Sequence, residues 1–399
     1  MARVMFIWEQ GSNLGHLSHL RSPIQAAIEQ GHEVFLVARE LQGIPTVFGN
    51  LPIVCLQAPF KQSQVFADQS AYFSMTHILF RQCFSTTAEL EMYICAWRGL
   101  FNLIEPELVV YEHAPTALVA SFGYGFKKLL VGTGFSIPPL PSRPDSPFAI
   151  FITTPRTPEN LALLASDDQL VLKIINTALQ RCGSSSMGSL SDLYGQADDQ
   201  LLMTRPELDH FGPRHSHYLG VEVMAAASAP VWPCSEGPKV FGYLNVFPSL
   251  EMLLQALQAS SVCALLYIRG LPGELRNAYT GDCLKFLDDL LDLRLVAQQA
   301  DVVISNGSHN TVAHFLQSGV PQLIVPMHQE QLFVGLRLHE QGCAVLAYQD
   351  QPDYASEVKE MINSKTLKER SLAMAGQCAL LPKIDRSCHI HNVINRLLN

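Results

Sequence analysis

The sequence predicts an α/β protein of two doubly wound, Rossmann-like domains facing one another across a cleft. Three observations predict it. Apolar runs alternate with helix-period segments through both halves of the 399-residue chain. The runs are continuous rather than alternating, as in strands covered on both faces of a parallel sheet. Between the halves, "GVEVMAAASAPVWPCSEGP" is rich in Ala, Ser and Pro and has no periodicity, which marks an interdomain linker.

In order along the chain, "RVMFIW" (3–8), "HEVFLVA" (32–38), "LPIVCLQ" (51–57), "PELVVYE" (106–112) and "KKLLVGTG" (127–134) read as buried strands. "IQAAIEQG" (24–31) is helical and stops at a glycine. In the second half the strands are "KVFGYL" (239–244), "VCALLYI" (262–268), "ADVVIS" (300–305), "PQLIVP" (321–326) and "CAVLAY" (343–348), with helices at 249–259, 311–318 and 330–341 between them. The expected division is 1–219, a linker at 220–238, 239–385, and a terminal helix at 386–399 that crosses back to the first domain. Two helical segments fall outside the alternation: 66–103, dense in aromatics, and the more polar 156–195. The aromatics suggest an apolar pocket wall, with Tyr72, Phe73, Phe80 and Phe135 as candidates.

Composition excludes several classes. The chain is 48% hydrophobic and 16% charged, enough to bury a large core. A formal charge of −9 carries no electrostatic footprint for nucleic acid. No apolar run is long enough for a membrane span, and the opening stretch is too short for a signal peptide. Ten scattered cysteines form no CxxC, as in reduced thiols of a cytoplasmic protein. No Cys/His spacing suggests a metal, and none of His309, His314, His328 and His339 is spaced i,i+4 with another, so no metal or resident cofactor is expected.

The most informative stretch is "DVVISNGSHNTVAHFLQSGVPQLIVP" (301–326), where a buried strand runs straight into small polar residues that open a helix. Unpaired N–H groups and the dipole make such a start a ready anion site if the residues there let an oxygen approach. Gly307 permits close backbone approach, and Ser308 and Thr311 add hydroxyls, so 307–311 reads as a phosphate socket. After the next strand, Glu330 and Gln331 stand on a loop adjacent to that turn in a doubly wound sheet, suited to a sugar's hydroxyls.

The stretch 301–345 resembles the donor-binding motif of the GT-B nucleotide-sugar glycosyltransferases, in the UDP-glycosyltransferase superfamily that modifies natural products and lipids. Asn310, Thr311, Gly319, Val320, Pro321, Pro326, Glu330 and Gln331 match in register. Asn306 stands where the motif has a phosphate-binding His, and His314 where it has a ribose-binding Glu. The resemblance implies a donor site of Asn306, Gly307, Ser308, His309, Asn310, Thr311, His314, Glu330 and Gln331.

The first domain resembles the acceptor domain of the same superfamily through Gly15-His16 and Gly31-His32-Glu33-Val34. His19 stands where that superfamily often has Pro. An acceptor hydroxyl must lose its proton as it attacks the anomeric carbon, and an imidazole titrates in the right range. His16 at the end of the first strand is the candidate base. Glu112, where the superfamily carries its acidic partner, would steady it. His19 and His113 are rivals for the role of base. The implied activity is inverting, metal-independent transfer of a sugar, a hexosyl group in the simplest case, from a UDP- or TDP-sugar to a hydroxyl of an apolar small molecule or lipid. The alternatives are a non-catalytic GT-B partner or activator protein with a degenerate donor site, and a nucleotide-sugar epimerase.

Overall fold

A computed structural model describes every residue except 12–13, 62–71, 142, 144–145, 223–227, 351 and 381–383. Contacts divide the chain into two compact units. The first comprises Met1–Thr204, Pro213–Gly220 and Ile384–Asn399, and the second comprises Arg205–Gly212 and Val221–Lys383.

In unit 1 the strands are β1 (Arg3–Trp8), β2 (Glu33–Ala38), β3 (Ile53–Gln57), β4 (Leu108–Glu112), β5 (Lys127–Gly132) and β6 (Asp199–Leu202). The helices are α1 (Leu14–Glu29), α2 (Ile44–Phe48), α3 (Met75–Arg81), α4 (Thr87–Ile104), α5 (Pro115–Ala120), α6 (Pro158–Arg181) and α7 (Ser191–Gly195). The sheet runs β3-β2-β1-β4-β5-β6, all parallel. The order reverses between β1 and β4, where Trp8 pairs with Glu112, and a doubly wound sheet opens its crevice at such a point. β4 is buried at every residue and β1 at all but its first, hence their unbroken apolar runs. α1 lays Leu17, Leu20, Ile24 and Ala27 inward at helical spacing.

Unit 2 repeats the plan with β7 (Lys239–Asn245), β8 (Cys263–Arg269), β9 (Leu284–Leu287), β10 (Val302–Ser305), β11 (Gln322–Ile324) and β12 (Ala344–Leu346). Its helices are α8 (Leu250–Ala259), α9 (Gly273–Tyr279), α10 (Leu293–Ala297), α11 (His309–Gln317), α12 (Gln329–Glu340), α13 (Tyr354–Asn363) and α14 (Lys365–Leu380). The parallel order is β12-β11-β10-β7-β8-β9, reversing between β7 and β10. Val302 and Ile304 enter one apolar cluster and Val303 another, so successive residues of β10 feed opposite faces.

The last helix, α15 (Arg386–Leu398), belongs to unit 1 and packs on α1, where His391 pairs with Glu29 at 2.8 Å. The short segment Arg205–Gly212 is counted with unit 2, where Gln341 donates to the Glu207 carbonyl. Part of the expected linker, 223–227, and the start of the aromatic segment, 66–71, lie outside the described residues. Ser228 already bridges to Leu291 in unit 2. β6 and β9 are strands that the apolar runs do not announce. "DQLL" and "LKFL" are short strands at the sheet edges, where polar residues are tolerated; beyond its pairing with β5, β6 gains an isolated bridge from Leu202 to Tyr218.

Candidate functional site

In unit 1 the polar residues converge where β1 and β4 end. His16 lies in the first turn of α1, and its Nδ1 is 2.8 Å from Glu112 Oε2 and 3.0 Å from Oε1. Glu112 is fully buried, while the His16 side chain keeps about 11% of its surface exposed. A carboxylate only accepts, so the Nδ1–H donates, and in the neutral ring Nε2 carries the lone pair. The imidazole is further positioned by near-parallel rings, Trp8 at 5.6 Å and His113 at 5.9 Å. Gly11 closes over it: at φ +85°, a Cβ there would lie 2.0 Å from His16 Nε2, so no side chain fits without displacing the ring.

Burial alone would raise the Glu112 pKa. The charge and hydrogen bond of His16, then the bond and charge of His19, more than offset this and hold it down at about 2. His19, a turn along α1 and also buried, brings its Nδ1 to 3.2 Å from Glu112 Oε1, and Ser136 Oγ donates to the same oxygen at 3.4 Å. His113 is held in the left-handed region at φ +44°. Its carbonyl accepts from Gln10 N, and its ring lies 5.8 Å from Phe135. His16 is bonded to Glu112 and partly exposed, whereas His19, bonded to the same carboxylate, is buried.

Sequence reasoning passed over Glu9, although an acid closing the apolar run "MFIWEQ" is the signal for it. It is buried, and its Oε2 accepts from the backbone of Thr116 and Ala117 at the start of α5. Burial lifts its pKa to about 7 against hydrogen bonds that lower it. A carboxyl raised on folding contributes its stability below the unfolded value, near 4.5, and loses it as pH climbs to about 7. We expect the wild type to lose up to about 3 kcal/mol between pH 4.5 and 8 from this group, and Glu9→Gln to flatten that slope in urea titrations.

The four proposed pocket aromatics separate. Phe135 lies in the ring ladder that begins at His16 and continues to Phe151 at 6.3 Å. Phe73 joins it through the backbone, its carbonyl accepting from Phe151 N. Tyr72 lies under the Arg81 guanidinium at 4.3 Å, and Phe80 on α3 is 37% exposed, so neither is brought into the ladder.

In unit 2 the turn after β10 carries the second cluster. Gly307 has φ +87°, and a Cβ there would meet Ile324 Cγ2 at 2.9 Å and the Gln331 carbonyl oxygen at 3.1 Å. Ser308 is the N-cap of α11, yet its hydroxyl donates to Thr311 Oγ1 at 2.9 Å instead of capping the backbone. The N-cap side chain therefore supplies no acceptor to the first-turn N–H groups. His309, buried at the first helical position, stacks on buried His210 at 5.7 Å. Asn310 is half-buried beside it.

Three of the predicted donor-site residues are used differently from the expectation. Asn306 is only 3% exposed: its Oδ1 accepts from Asn245 N at 2.7 Å and its Nδ2 donates to the Val325 carbonyl at 2.9 Å. It ties the ends of β7, β10 and β11 together across the switch point. Asn306→Ala strands the Asn245 N–H and should cost about 1–3 kcal/mol in chemical denaturation. Gln331 is likewise engaged, its Oε1 accepting from Met327 N at 2.8 Å, while Glu330 stays half-buried in the first turn of α12. His314 packs its ring edge-on to Phe315, and its Nε2 is buried without a hydrogen-bond partner among the described residues. Burial pushes its pKa down against the Leu293 backbone and the Asp292 charge.

No family model matches the chain. The PGL/p-HBAD biosynthesis glycosyltransferase of Mycobacterium tuberculosis H37Ra is 24% identical over 311 residues, spanning 73% of this chain and 71% of that protein. Among solved structures, the glycosyltransferase SnogD from Streptomyces nogalater aligns over 99% of both chains with a TM-score of 0.63 at 16% identity. The glycosyltransferase VinC, solved in complex with DTDP, aligns over 99% of this chain and 98% of its own, with a TM-score of 0.62 at 15% identity. The paired parallel sheets have the GT-B fold of those glycosyltransferases, and in sequence the chain is similar to a curated glycosyltransferase.

Proposed function

We propose that the protein transfers a sugar from a nucleoside diphosphate to a hydroxyl of an apolar acceptor, with inversion at the anomeric carbon and without a divalent ion. The observation that carries this is the bond of His16 Nδ1 to the buried carboxylate of Glu112. As the acceptor oxygen forms its bond to the anomeric carbon, its proton passes to His16 Nε2. The bond from that carbon to the diphosphate oxygen breaks, and its electron pair leaves with the diphosphate. Glu112 holds the imidazole in the tautomer that exposes a basic Nε2 and offsets the imidazolium charge that forms. In unit 2 the departing charge is met by the first-turn amides of α11, with the Thr311 hydroxyl, which accepts from Ser308, as a further donor. Asn306 lends no charge there, so the helix terminus carries a larger share.

DTDP and thymidine diphosphate occur with glycosyltransferases of this fold, which supports a nucleoside diphosphate as the leaving group here. Phe135, 6% exposed and 5.8 Å from the His113 ring, supports an aromatic or otherwise apolar acceptor. Two measurements test the reading. TDP or UDP at about 100 times its Kd should stabilise the protein by about 2.7 kcal/mol. Transfer from an α-linked nucleotide sugar to a phenolic acceptor should give a β-linked product by NMR. Absence of any nucleotide-dependent stabilisation removes the donor socket, and a product of retained configuration removes the base.

A further inference from the structure

The transfer as drawn uses His16 and Glu112 but leaves His19 with no step of its own. Yet His19 is buried on the same side of α1, and its Nδ1 is 3.2 Å from Glu112 Oε1. Two imidazole nitrogens and a carboxylate oxygen thus lie within 4.8 Å of one another, and they are the one such group of three found among the described residues. A tetrahedral zinc ion with bonds of about 2.05 Å keeps its ligand atoms about 3.3 Å apart. His16 Nδ1 lies 3.0 Å and His19 Nδ1 3.2 Å from the same oxygen, Glu112 Oε1, close to that spacing, so this oxygen and either nitrogen can share an ion with a shift of a few tenths of an ångström. The carboxylate is buried, the nitrogens come from one helix at i,i+3, and the His16 side chain keeps about 11% of its surface exposed.

We propose that His16, His19 and Glu112 form a transition-metal site of two histidines and one carboxylate, selective for Zn2+-class ions, whose occupation silences the transferase. The silencing half rests on the role given to His16 above, and tautomers decide it. As a base, His16 needs its proton on Nδ1, donated to Glu112, with Nε2 open. As a ligand through Nδ1 it must carry that proton on Nε2, the very atom that has to accept the acceptor's proton. The ion occupies the place of the Nδ1 proton, so base and ligand exclude one another with no proton gained or lost by the neutral ring. His19 has the same freedom, because its Nδ1 faces the same carboxylate.

Cobalt titration of the chelator-stripped protein is the test, read by d–d absorption in the visible. The expected result is one Co2+ per chain, displaced by Zn2+, with no thiolate-to-metal charge-transfer band in the near ultraviolet. His19→Ala and Glu112→Gln should each weaken the ion at least about 100-fold, since loss even of a ligand's outer partner costs 10- to 100-fold. Zinc should inhibit wild-type transfer over the range that fills the site, and lose that effect, relative to each variant's own rate, in His19→Ala. Failure of the wild type to take up Co2+, a thiolate band, or undiminished binding in both variants overturns the site. Stoichiometric binding at these residues with full activity leaves the site standing and overturns both the silencing and the role of His16 as base.

Discussion

Replacing His16 with alanine should lower kcat by about 10²- to 10⁴-fold, about 3–5 kcal/mol of transition-state stabilisation, and leave nucleotide affinity unchanged. The split follows from where the residues sit. His16 is on α1 of unit 1, whereas the amides proposed to hold the diphosphate open α11 in unit 2. Steady-state kinetics with saturating donor, together with calorimetric binding of TDP, separates the two quantities. Glu112→Gln is the sharper companion. The amide keeps the volume and still accepts from Nδ1–H, so a large loss of kcat there reports the charge rather than the packing. Without the anion His16 protonates less readily, so whatever activity remains should persist to lower pH than in the wild type. Glu112→Ala, by contrast, leaves His16 and His19 beside a buried void, and its effect would mix catalysis with about 3–5 kcal/mol of lost stability. Unchanged kcat in both His16→Ala and Glu112→Gln would end the assignment of the base.

Gly307→Ala should be the most damaging single methyl in unit 2. At φ +87° an L-residue costs about 1–2 kcal/mol from its own backbone. The added carbon also meets Ile324 Cγ2 at 2.9 Å and the Gln331 carbonyl oxygen at 3.1 Å, neither the loose end of a long side chain. Overpacking of this kind adds about 1–3 kcal/mol. At about 2–4 °C per kcal/mol for a domain of this size, the unfolding transition of unit 2 should fall by several degrees or more. Because the same methyl displaces the turn that starts α11, stabilisation by TDP should vanish along with it. Differential scanning calorimetry with and without nucleotide checks both halves. A variant that melts normally and still responds to TDP would show that the turn does not hold the anion.

Much of the fold is legible in the sequence because burial on both sheet faces leaves a local mark. β1, β4, β7 and β10 are unbroken apolar runs, and α1 and α11 are flanked by the glycines at 31 and 319. β6 and β9 escape such a reading, since edge strands bury less and admit Asp199, Gln200 and Lys285. At the candidate site the sequence names residue types and the structure distributes their hydrogen bonds. Asn306 and Gln331 are polar residues in a polar turn, and nothing local reveals that each is engaged with backbone: Asn306 with Asn245 and Val325, Gln331 with Met327. Glu9 shows the converse. An acid at a strand end reads as solvated, and only the packing of α5 over it makes it a buried cap with a pKa near 7.

The sequence by itself determined the periodicities, and with them two parallel sheets, the strand ends that carry polar residues, and the small polar residues that open a helix. These are properties of neighbours along the chain, where 2- and 3.6-residue repeats decide which side chains share a face. The tertiary structure alone decided which polar groups meet. Glu112 reaches His16 across 96 positions because β4 lies beside β1 in the sheet order. His19 shares the same carboxylate because one turn of α1 sets both imidazoles on one side. Such contacts depend on strand order and register, which no local pattern encodes, and they determine whether a histidine is a base, a metal ligand or simply packing.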